Sequence, residues 1–163
     1  MANSHDQETI NHLIKFIKGG QAFAPMSVVL ANIPAEIRGV QPSGLPYSIW
    51  QQVEHIRIAQ WDMLDFSRNP DYKEISWPAD YWPKETAPKD DAAWDHAINQ
   101  IFEDEKAFIA LLEAPDVDLY TPFAWGKGQC LLREAMLVAN HNSHHAGQII
   151  ILRRLLGHWK ERK

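Results

Sequence analysis

The sequence predicts an all-α fold, a helical bundle with long loops at about 70–90 and 114–128. Three observations predict it. Apolar residues recur at i, i+3, i+4 and i+7 in several long segments, the spacing of a half-buried helix. Gly and Pro fall in clusters that cut the chain into helix-length pieces. No segment reads convincingly as a strand. At 163 residues the chain has the size of one domain, spanning 1–163, and is long enough to bury its own core.

Each element has a local reason. Residues 7–18 carry Ile10, Leu13, Ile14 and Ile17 on one stripe, and Gly19-Gly20 interrupts it. Residues 22–32 read as a second helical piece, with Pro25 in its first turn, where the missing N–H costs little. Residues 33–46, rich in Pro and Gly, read as a connection. Ser48 with Gln51 fits a capping box. Ile49, Val53, Ile56, Met63 and Leu64 follow at helical spacing, and that helix should stop before Pro70. The 70–90 segment holds four prolines with Trp77, Tyr81 and Trp82, so it reads as a loop that packs on something. Asp90 or Asp91 can cap a helix over about 91–113, and Pro115 ends it. The last helix spans about 130–156 and closes at Gly157, with Arg153 and Arg154 suiting its C-terminal dipole.

Composition removes several function classes. The net charge is −5 with no basic run, which disfavours binding driven by nucleic-acid phosphates. The lone Cys130 cannot form an internal disulfide or a Cys-rich zinc site. No run of about 18 apolar residues predicts a membrane span. The polar, acidic N-terminus does not read as a signal peptide, so a cytoplasmic protein is expected.

Chemistry concentrates in the last helix, where His141, His144 and His145 fall within five residues. At about 100° per residue, His145 lies about 40° from His141 and one turn further on, so both rings can converge on one ion. His144 lies about 60° to the other side. Val138, Leu152, Leu155 and Leu156 share the face of His141 and His145, and Gln148 joins them. Two imidazoles on a core face call for partners. A metal would satisfy both, and so would core hydrogen bonds. Among the other histidines, His55 is best placed as a third ligand, on a face with Gln52, Ala59, Asp62 and Phe66. Three histidines with open positions suit a catalytic metal, which activates a water or a thiol. Asn142 stands where a metalloprotease helix would carry Glu. Glu54, Asp62 and Glu134 are carboxylates that could support a site. No general base is assigned. Cys130 opens the last helix and reads as a small residue near its N-cap, with a nucleophilic thiol as the alternative.

Segments 50–62 (WQQVEHIRIAQWD), 76–83 (SWPADYWP), 131–148 (LLREAMLVANHNSHHAGQ) and 152–157 (LRRLLG) together resemble the DinB-like (DinB/YfiT) superfamily of metal-binding four-helix bundles. The resemblance covers nearly the whole chain. It implies an up-down-down-up bundle, a homodimer, and one divalent metal held by His55, His141 and His145. Nickel or zinc is expected first, then iron or manganese. It further implies a metal-dependent S-transferase or isomerase using a low-molecular-weight thiol such as bacillithiol or mycothiol, or a hydrolase using metal-bound water. A non-catalytic, stress-related metal-binding dimer is the alternative. His144 stands where relatives carry an aromatic residue, and Cys130 where a hydroxyl residue is expected.

Overall fold

The computed structural model describes residues 4–159, with side chains from Asp6 onward, so His5 lies outside the described side chains. The described residues form six helices and no strand: α1 (Ser4–Lys18), α2 (Met26–Val29), α3 (Ala35–Arg38), α4 (Ile49–Arg68), α5 (Asp91–Leu112) and α6 (Leu131–Leu155). The fold is all-α, and no described helix is long and apolar enough to cross a membrane.

The helix ends follow local chemistry. Gly19 and Gly20 adopt φ of 68° and 78°, left-handed values that stop α1 and that other residues resist. Ser48 and Gln51 form the expected capping box at α4. The Asp90 carboxylate accepts the Ala93 N–H at 2.7 Å and caps α5. Cys130 is the N-cap of α6 but makes no side-chain cap bond. Gly157, with φ of 76°, closes α6.

Three expectations change. The helix expected over 22–32 shrinks to the single turn of α2, with Pro25 as its N-cap in extended conformation rather than inside its first turn. A proline N-cap offers no side-chain acceptor, and Gly19-Gly20 separates this turn from α1. The 33–46 connection contains the one-turn α3, whose Arg38 pairs with Asp91 at 2.7 Å and lies over the Trp94 ring. Leu155, expected on the buried face of α6, is 60% exposed, while Leu152 before it and Leu156 after it pack on the core, so it lies past the edge of that face.

The core has two clusters. In one, Ile49, Val53 and Ile56 of α4 meet Trp94 and Ile101 of α5, Ile149 and Leu152 of α6, and the α2–α3 segment. In the other, Met63 and Leu64 of α4 meet Phe108 and Leu112 of α5, Ala135 and Val138 of α6, and Ile10, Leu13 and Ile17 of α1. Each fully buried aliphatic or Phe side chain contributes about 1.5–3 kcal/mol. Arg153 is buried too. Its guanidinium donates to the Val29 carbonyl at 2.7 Å, which ties α6 to the end of α2.

A polar layer separates the clusters. Gln60 donates to the Ile101 carbonyl at 2.5 Å, and Asn142 donates to Gln60 at 2.6 Å. These side chains are buried but paired, so they join α4, α5 and α6 at one level without leaving unsatisfied groups. His55 falls between Val53 and Ile56 on α4, and His141 and His145 fall between Val138 and Ala146 on α6.

Candidate metal centre

The structure brings His55, His141 and His145 together. One ring nitrogen from each lies within 4.8 Å of the other two. The Nε2 atoms of His55 and His141 are 3.0 Å apart. His145 stands 4.4 Å from His141 and 4.5 Å from His55 between ring centroids. Two metal–nitrogen bonds of about 2.0–2.1 Å reach across up to about 4 Å, so one ion can bridge the 3.0 Å pair.

Two imidazoles are held from behind. His55 Nδ1 donates to the Tyr81 carbonyl at 2.8 Å, and His145 Nδ1 donates to Gln52 Oε1 at 2.7 Å. A proton fixed on Nδ1 leaves Nε2 as a lone pair. Such bonds orient metal-binding histidines and raise their basicity. His141 has only a 3.5 Å approach from Asn142 to its Nδ1.

Burial holds all three rings neutral. Desolvation lowers the His55 pKa, partly opposed by the Tyr81 hydrogen bond. It takes His141 down to about 4 and His145 to about 3, with the neighbouring histidines adding to both shifts. Neutral imidazole is the ligand form, so these rings are ready for a cation without first losing protons at pH 7. The donor set therefore fits a borderline divalent ion.

The 69–90 loop builds one wall. Trp82 stacks on His55, and Tyr47 stacks on Trp82 at 4.6 Å. The same loop supplies the Tyr81 carbonyl. Tyr81 and Tyr72 both donate their hydroxyls to Asp62, at 2.6 and 2.8 Å. Burial and the adjacent carboxylate push both phenol pKa values upward, so they remain donors. A cavity of about 420 Å³ opens beside the histidines, lined also by Met63, Trp77, Leu137 and Gln148.

The remaining candidates separate clearly. His144 is exposed at the cavity rim, 4.9 Å from His145 between ring centroids. His12, His96 and His158 are exposed and away from the cluster. Glu54 binds Arg57 through two bonds and does not line the cavity. Glu134 is buried, bonded to Arg133 at 2.6 Å, and its pKa is raised by burial. Asp62 lines the cavity, whereas Cys130 does not. Gln52 and the Tyr81 carbonyl were missed by sequence reasoning. Gln52 carried a signal, because it shares the α4 face of His55; a backbone carbonyl carries none.

A sequence model of the DinB superfamily matches residues 21–149, a span that includes all three histidines. The chain belongs to the DinB superfamily. No curated protein and no solved structure gives a significant match. DinB membership and the histidine cluster are compatible with metal binding.

Proposed function

We propose that this DinB-superfamily chain binds one divalent metal through His55, His141 and His145 and uses it in an enzymatic reaction on a small molecule. The carrying observation is the convergence of three neutral imidazoles, two of them oriented through Nδ1. Nickel or zinc is the proposed ion, with iron or manganese as further options. When bound, such an ion supplies Lewis acidity that activates a thiol or a water.

The chain's own residues define the rest. Gln52 and the Tyr81 carbonyl hold Nδ1 protons and aim the opposite nitrogens. Trp82 and Tyr47 shield His55 from water on one side. The cavity leaves the other side open to a small molecule. The reaction class we favour is thiol S-transfer or isomerisation, with hydrolysis by a metal-bound water as the other reaction considered. A metal-binding domain without turnover is the alternative.

The four long helices α1, α4, α5 and α6 are read as up-down-down-up within one domain. Support comes from the core, where the first halves of α4 and α5 share a cluster with the second half of α6. A homodimer in the cytoplasm is the proposed setting, without nucleic-acid or membrane partners.

The test is elemental analysis of tag-free protein beside His145→Ala. About one metal per chain, lost in the variant while the helical spectrum persists, is expected. Equal metal in both would overturn the ligand assignment. Turnover of a thiol with an electrophile then separates enzyme from binding domain.

A further inference from the structure

The cavity beside the histidines is chemically lopsided. Among the described residues lining it, Asp62 is the one carboxylate, and no Lys or Arg is present. Asp62 is 8% exposed. Its hydrogen-bond donors are the two phenols of Tyr72 and Tyr81, and among the described residues no Lys or Arg is ion-paired with it. A carboxylate accepts about four hydrogen bonds, and the phenols occupy two. A charge held this far from water favours a cation as a further partner.

The surroundings suit an organic cation. Trp77 lines the cavity yet is 68% exposed, which leaves apolar surface at its mouth. Tyr81 and Trp77 meet edge to face at 5.1 Å, and aromatic faces attract ammonium groups. Met63 and Leu137 complete an apolar wall. Asp62 and Tyr81 also line an adjoining cavity of about 430 Å³ of mixed charge, where Glu74 and Glu134 stand with Lys127 and Arg133, and Glu134 is paired with Arg133 at 2.6 Å. Asp62 lies seven residues beyond His55 on α4. Helix geometry puts it on the same face, about 10 Å along the axis.

We propose that this cavity binds an organic ammonium ion with an apolar body, the ammonium at the Asp62 carboxylate and the body against Trp77, Met63 and Leu137. Its length then spans from Asp62 toward the histidines, so the substrate class is an amphipathic amine. The inference rests on reading this cavity as the substrate chamber, and on none of the metal chemistry.

The test uses full-length, metal-free protein and three matched probes: 4-phenylbutylamine, 4-phenylbutan-1-ol and 4-phenylbutyrate. Amide chemical shifts in a nuclear magnetic resonance titration read even millimolar affinity. The amine should bind at least about tenfold more tightly than the carboxylate, with the alcohol between, as a partly buried charge pair gives. Asp62→Asn should erase that order. Trp77→Ala, at an exposed position, should weaken all three probes and keep the order. Equal affinities in the wild type, a reversed order, or no binding by any probe would overturn the proposal. If Asp62→Asn fails to fold by circular dichroism, high salt on the wild type replaces it, and the amine preference should shrink. A preference undiminished by salt would count against the proposal. Elemental analysis of the same preparation keeps the two readings apart. An amine preference without metal uptake sinks only the metal reading, and metal uptake without the preference sinks only this one.

Discussion

The Trp82 indole lies flat against the His55 imidazole, with centroids 3.9 Å apart and planes 3° from parallel. Trp82 comes from a loop and His55 from α4, so the stack fastens the loop to the proposed metal centre. The same contact places an indole next to a ligand ring, where an open-shell ion quenches its emission. Titration with nickel or cobalt should therefore quench tryptophan fluorescence in the wild type. In Trp82→Phe most of that quench should disappear while uptake persists. An unchanged quench in the variant would remove Trp82 from the site.

Gln52 holds the Nδ1 proton of His145 at 2.7 Å, and both side chains are buried. Gln52→Leu deletes the acceptor and leaves a buried N–H unsatisfied, a cost of about 1–3 kcal/mol. Metal affinity should fall by about 10–100-fold, the usual effect of losing such a partner. A competition titration with a coloured chelator measures it. Wild-type affinity in Gln52→Leu would show that His145 needs no orienting bond.

Acid should destabilise the metal-free protein through its histidines. Unfolded imidazoles take up protons near pH 6.5, whereas folded His141 and His145 do so only near 4 and 3. Between those values the unfolded chain binds more protons, so stability rises with pH across that window and falls on acidification. Urea midpoints measured from pH 7 down to 4 should decline, and His141→Gln should flatten the slope. A flat profile in the wild type would contradict the burial of these rings.

Two helix caps make opposite predictions. Ser48 satisfies the α4 N-terminus through its capping box, and Ser48→Ala should cost about 0.5–2 kcal/mol in urea unfolding. Cys130 makes no cap bond on α6, so Cys130→Ser should hold or raise stability by about 1 kcal/mol and keep metal uptake. Loss of metal in Cys130→Ser would mean that the thiol belongs to the site.

The sequence alone determined the long helices and the pairing of His141 with His145. These depend on local rules, namely apolar spacing, the Ser48–Gln51 box, Asp90 as a cap and the left-handed Gly157. The tertiary structure decided what depends on non-local packing. The 22–32 segment read as a helical piece, but Pro25 stands outside it as the N-cap and Asn32, at φ of 53°, follows it in left-handed conformation, leaving one turn. Leu155 sat on the apolar face of its wheel, yet the packing covers its neighbours Leu152 and Leu156 and leaves it exposed. His55 was legible as a candidate from its face on α4, whereas its distance to His141 required the packing of α4 on α6. The Tyr81 carbonyl was the least legible partner, because every residue carries a carbonyl. Only the path of the 69–90 loop, with both tyrosines bound to Asp62, brings this one to His55.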